Sequence, residues 1–159
     1  MKIKLILFLL LIQFCKNEEL THTLKSKEEV LIETVRALEN LDSKKIDSLL
    51  MTRKEHNEIF WKYVGERFTS DPNMSADLAY DFMDFETQQV KNLLLKELGG
   101  KKIKIESTKC NKTEKYGPFN LHLNCFIFIS GLNGKIEAID NIRSVIELNG
   151  KFKLYHLRK

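Results

Sequence analysis

The chain has 159 residues, of which 43% are apolar and 30% charged, enough for one buried core and too little for two. Seven Gly and two Pro exclude collagen-like and linker-dominated architectures. The formal charge of +4 includes Lys2 and Lys4; from Lys16 onward 24 basic residues face 22 acidic ones. That balance gives no compositional case for a nucleic-acid partner.

Residues 1–14 form an address signal. Met1-Lys2-Ile3-Lys4 precedes an apolar run over 5–14 in which only Gln13 is polar. A bilayer core needs about 20 apolar residues, so this run has the length of a secretory h-region and not of a membrane span. It ends at Cys15. The sequence Ile12-Gln13-Phe14-Cys15 resembles the lipobox of bacterial lipoproteins, with Gln13 and Phe14 where small residues are usual. In that family the cysteine is diacylated and becomes residue one. The resemblance therefore implies lipid on Cys15, attachment to the cell envelope and a tether over 15–27. Without lipid, the protein is secreted or periplasmic.

Three cysteines are present, Cys15, Cys110 and Cys125. Export implies an oxidising compartment, where Cys110 and Cys125 form the one available bridge. Two unpaired buried thiols are the alternative. No metal-ligand spacing is present, and no metal or cofactor is expected.

The domain is expected over 28–159. Ser26 with Glu29 opens a helix whose stripe is Leu31, Val35 and Leu38, finished by Leu41. Ser43 is expected to cap a shorter helix through Ile46, Leu49 and Leu50. Thr52 and Glu55 form a T-x-x-E capping box, followed by an inner face of His56, Ile59, Phe60, Tyr63, Val64 and Phe68. Asp71-Pro72-Asn73 marks a turn. Ser75 opens the longest helix, to about Leu98, with Leu78, Phe82, Phe85, Val90, Leu93 and Leu94 inward and Gly99-Gly100 as its stop.

Beyond Gly100 the apolar period changes from 3.6 to 2. Strands are expected over 101–107, 119–129, 135–139, 142–148 and 151–157, with turns at Asn133-Gly134 and Asn149-Gly150. The class is therefore α+β, with N-terminal helices packed on a C-terminal antiparallel meander sheet of four to five strands. This order, ending in Asn149-Gly-Lys-Phe-Lys-Leu-Tyr-His-Leu157, resembles nuclear-transport-factor-like and cystatin-like cone folds. The combination with the address signal is similar to small spirochaete lipoproteins. Those folds imply a pocket at the open end of a curved sheet.

No nucleotide, nucleophile-elbow or zincin motif occurs. His56, Phe60, Tyr63, Phe82 and His156 are the candidate pocket residues. His56 and His156 are candidate acid/base or ligand groups, or else hydrogen-bonded histidines at the core edge. No carboxylate can be placed beside either from sequence. Asp77, Asp81 and Asp84 share a helix face, which reads as a solvated acidic surface. Lys151, Lys153, Arg158 and Lys159 read as a solvated basic edge. The functional expectation is a non-enzymatic, lipid-anchored module for a protein or a small apolar ligand. The alternative is an isomerase- or hydrolase-like pocket enzyme.

Overall fold

A computed structural model describes residues 19–68, 73–130 and 135–158, without the side chains of 66–68. The address signal, Cys15, the Phe68 side chain, the Asp71-Pro72 turn and the Asn133-Gly134 turn lie outside the described residues.

Among the described residues, four helices precede five strands. Helix α1, Lys27–Glu39, starts where the Ser26 hydroxyl accepts from the Glu29 amide, and it buries Leu31, Val35 and Leu38. Leu41 does not finish that stripe. It has left the helix at φ +54, is 60% exposed and lies over Gly99. Helix α2, Ser43–Leu49, is capped by Asp42 and not by Ser43, the longer-reaching carboxylate taking the Lys45 amide. Helix α3 is composite: Arg53–Glu55, a π-turn over His56–Phe60, and Trp61–Phe68. Its Thr52–Glu55 capping box is present as expected.

Helix α4, Ala76–Leu98, is capped by Ser75, but only part of its expected inner face is buried. Thr87, Val90, Lys91 and Leu94 face the core, whereas Leu78, Phe82 and Phe85 are 42%, 62% and 67% exposed. The stripe at i, i+4 and i+7 is helical as read, but among the described residues no element covers its first half. Gly99 ends the helix at an ordinary φ of −59. A Cβ there would stand 2.2 Å from Leu41 Cδ2 and 2.2 Å from the Leu95 carbonyl oxygen. Gly99→Ala is therefore expected to cost about 1–3 kcal/mol in a denaturant melt. Adding Leu41→Ala should not restore the loss, because the carbonyl contact remains.

Strands β1 (Lys104–Tyr116) and β2 (Phe119–Ser130) form a long hairpin, extending the expected first strand by a further nine residues beyond Ser107. The other edge of β2 takes β3 (Ile136–Ile139) against 127–130 and β4 (Ser144–Leu148) against 119–123. β3 and β4 thus lie in line, and the break between them falls opposite Asn124, whose φ is +50. β5 (Lys151–His156) follows the Asn149-Gly150 turn and completes the antiparallel meander. Cys110 and Cys125 are direct cross-strand partners and are disulfide-bonded.

Two apolar clusters hold the layers. The larger joins α1, α2 and the end of α4 to Cys125, Ile127, Ile129, Val145 and Leu154. The smaller joins Leu20, Met51, Phe60 and Val64 to Phe119, Leu121, Ile146 and Leu148.

The segment 19–26, expected to be tether, is part of the packed domain. Leu20 is buried, and Leu24 exchanges two backbone hydrogen bonds with Phe152 on β5, both 2.9 Å. Met51 N also donates to the Leu154 carbonyl at 2.9 Å. The β5 edge is therefore covered by backbone and not guarded by exposed lysines. Lys153, read as a solvated edge residue, is 1% exposed. Its ammonium lies 2.7 and 3.0 Å from the two oxygens of Glu55. The same carboxylate accepts from the Thr21 amide and hydroxyl and from the Thr52 amide and hydroxyl. Burial pushes the Glu55 carboxyl up, but the bonds from Lys153, Thr21 and Thr52 outweigh it and hold it below the ordinary range.

Candidate functional site

The site begins with the π-turn of α3. The five-residue loop of that turn, closed by Trp61 N on the His56 carbonyl, sets His56 among three rings. Its centroid is 5.5 Å from Trp61, 5.4 Å from Tyr80 and 6.2 Å from Phe60. Trp61 in turn lies flat over Gly65, where a Cβ would come within 2.8 Å of the indole.

A relay orients the imidazole. Asn57 donates its amide N–H to Asp77 Oδ1 at 2.7 Å, so its carbonyl oxygen faces His56 Nδ1, also at 2.7 Å. That oxygen only accepts, which assigns the proton to Nδ1 and leaves Nε2 as an acceptor. Burial lowers the affinity of His56 for a second proton, and the nearby Arg53 charge adds to this. Arg53 spans from α3 to α4, pairing with Asp77 and Asp81 while its guanidinium lies 4.7 Å from the Tyr80 ring centroid. The acidic face of α4 is thus partly an ion-pair seam.

Between α3, α4 and β5 lies a cleft of about 330 Å³. His56, Trp61, Phe82, Tyr155 and His156 supply its rings, and Met74 and Met83 its thioethers. Glu86 and Arg158 stand at one end. Glu86 Oε2 is 3.4 Å from His156 Nε2, and Oε1 is 3.6 Å from Arg158 Nε. The His156 Nε2 atom is buried and, among the described residues, has no hydrogen-bond partner, with Glu86 standing 3.4 Å away. Burial holds the His156 imidazole below its ordinary pKa, against the pull of Glu86. Burial raises the Tyr155 phenol well above its ordinary value. A second cleft of about 220 Å³, shared at Met83 and Tyr155, opens beside it toward Arg53, Tyr80 and Asp84.

Comparison with known proteins finds no matching family model, no similar curated protein and no similar solved structure.

Three of the five expected pocket residues meet in this cleft: His56, Phe82 and His156. Phe60 does not. It is fully buried, edge-on to Phe119 and Tyr155 at 5.2 Å each, and belongs to the smaller core cluster. Tyr63 is 37% exposed and lies over Gly117, whose φ of +56 and lack of a Cβ admit the ring. Sequence reasoning missed Glu86 beside His156. The two lie 70 positions apart and meet only because α4 crosses the end of β5.

A third histidine, His122, takes part in a separate cross-strand network. Its Nδ1 is 2.9 Å from the Thr113 hydroxyl and its Nε2 is 3.2 Å from Glu147, to which Asn120 also donates. Its ring stacks on Phe152 at 5.9 Å. Among the described residues, no three His, Cys, Asp or Glu side chains gather as a metal site, and no helix is long and apolar enough to cross a membrane.

Proposed function

We propose that this chain is an exported envelope lipoprotein of the small spirochaete type, anchored through Cys15, whose cone-fold domain binds a small, mainly apolar ligand. One observation carries the binding reading. The cleft between α3, α4 and β5 is walled by rings and thioethers, and among the described residues its charged groups, Glu86 and Arg158, stand side by side. Anchorage rests on the h-region and Cys15. Three residues separate Cys15 from Glu19, and the four steps between them reach at most about 14 Å, so on this reading the domain sits close to the membrane.

Intact mass of the protein from native membranes tests the anchor. The expected mass starts at Cys15 and includes acyl chains, and two thiols become reactive only after reduction. A lipid-free mass overturns the anchor and makes the protein secreted or periplasmic. The cleft has its own reporter, because Trp61 is the single tryptophan. Hexanol is expected to shift its emission saturably, and Phe82→Ser to weaken that binding at least fivefold. No saturable shift overturns the binding reading.

The approach of Glu86 to His156 favours a second reading, a pocket enzyme with His156 as base. On that reading, His156→Ala abolishes turnover of a carbonyl or ester substrate while Trp61 still reports ligand entry.

A further inference from the structure

We propose that the cleft selects a cation, so that its ligand is an ammonium group carried on an apolar body. The inference rests on the binding reading above and adds the sign of the ligand's charge.

The lining offers a cation a carboxylate, an imidazole lone pair and aromatic rings, beside the N–H and O–H groups of Trp61, Tyr155, His156 and Arg158. His56 Nε2 is fixed as an acceptor because Asn57 and Asp77 hold the proton on Nδ1. Glu86 contributes a carboxylate at the cleft's polar end. Trp61, Phe82 and Tyr155 present aromatic rings, whose π-faces are negative, and Met74 and Met83 present sulfur. A carboxylate or phosphate entering here would be repelled by Glu86, by the His56 Nε2 lone pair and by the ring faces. An ammonium would be attracted to the same three.

Among the described residues the one cationic side chain in the lining is Arg158, and it does not reverse this sign. Its side chain is 62% exposed, on the rim, and it already faces Glu86 at 3.6 Å. A ligand cation therefore competes with Arg158 for Glu86. The protein uses the same chemistry next door, where the Arg53 guanidinium lies over the Tyr80 ring. The first half of α4 carries Asp77, Asp81, Asp84 and Glu86; Arg53 pairs with the first two and Arg158 faces Glu86, so four acidic groups stand against two basic ones and the balance on this face stays negative.

Two sources supply this chemistry, a free alkylammonium molecule and a lysine side chain presented by another protein. The exposed Leu78, Phe82 and Phe85 continue from the cleft along α4 and would lie beside either.

Trp61 fluorescence distinguishes these possibilities with four matched hexyl probes: hexyltrimethylammonium, hexylammonium, hexanol and hexanoate. Both ammonium probes are expected to bind at least tenfold more tightly than hexanoate. Glu86→Gln should bring that ratio within about twofold while leaving hexanol unchanged, and Arg158→Gln should strengthen ammonium binding two- to fivefold by freeing Glu86. Hexanoate binding as tightly as the ammonium probes overturns the charge assignment and leaves the apolar cleft standing. Failure of all four overturns the cleft reading itself. A nonapeptide with a central lysine between leucines, run beside hexylammonium, separates the sources: tighter peptide binding identifies a protein partner, weaker binding a free amine. Both results keep the cationic assignment.

Discussion

Replacing Glu55 by Gln is expected to destabilise the domain by about 3–5 kcal/mol, enough to leave much of it unfolded at 37 °C. The reason is what stays behind. The Lys153 ammonium, with a side chain 0% exposed, would keep only a neutral amide oxygen and the Thr21 hydroxyl at 3.5 Å. The reverse substitution, Lys153→Met, leaves Glu55 with all four donors from Thr21 and Thr52, so its cost is expected to be smaller, about 1–3 kcal/mol. The double variant should cost less than the sum, since removing one partner already forfeits the pair. Urea melts of the three variants measure this, and equal single costs would contradict the asymmetry. The acid limb follows the same group. Glu55 is held below its ordinary value of 4.5, so its contribution is fully present above that pH. It is lost as pH falls through the lower folded value. The parent should therefore lose stability below pH 4.5 more steeply than Glu55→Gln.

Reduction of the Cys110–Cys125 bond is the second large effect. It closes a sequence separation of 15, for which chain entropy gives about 3 kcal/mol, or about 10 °C in melting temperature for a domain of this size. Cys125 is fully buried in the larger cluster, so Cys125→Ser would add the burial of a hydroxyl to the lost crosslink. Cys110→Ser is the cleaner variant, expected to match the reduced parent within about 1 kcal/mol. A melting temperature unchanged by reduction would remove the bridge from the account of stability.

The local chemistry of the fold was readable in sequence. The capping box at Thr52 and Glu55, the Ser26 and Ser75 caps, the change of period after Gly100 and the Asn149-Gly150 turn each depend on neighbours a few positions apart. What depends on tertiary contact was not. The Leu78–Phe82–Phe85 stripe is helical in period, but periodicity alone does not say whether another element covers it. Lys153 alternates like a solvent-facing strand residue, and its burial is decided by Glu55, 98 positions away. The same holds in the cleft. His56 and His156 could be named from their apolar surroundings, while Glu86 and the Asn57–Asp77 relay became visible only where α3, α4 and β5 converge.

On the proposed anchorage through Cys15, the packing of residues 19–24 has a mechanical consequence. Tension arriving at Glu19 is taken up by Thr21, which grips a carboxylate itself held by a buried ammonium on β5. The paired Leu24–Phe152 backbone bonds form a second stop behind it. A pull from such an anchor would meet the sheet edge before it reached the first half of α4, which forms one wall of the cleft.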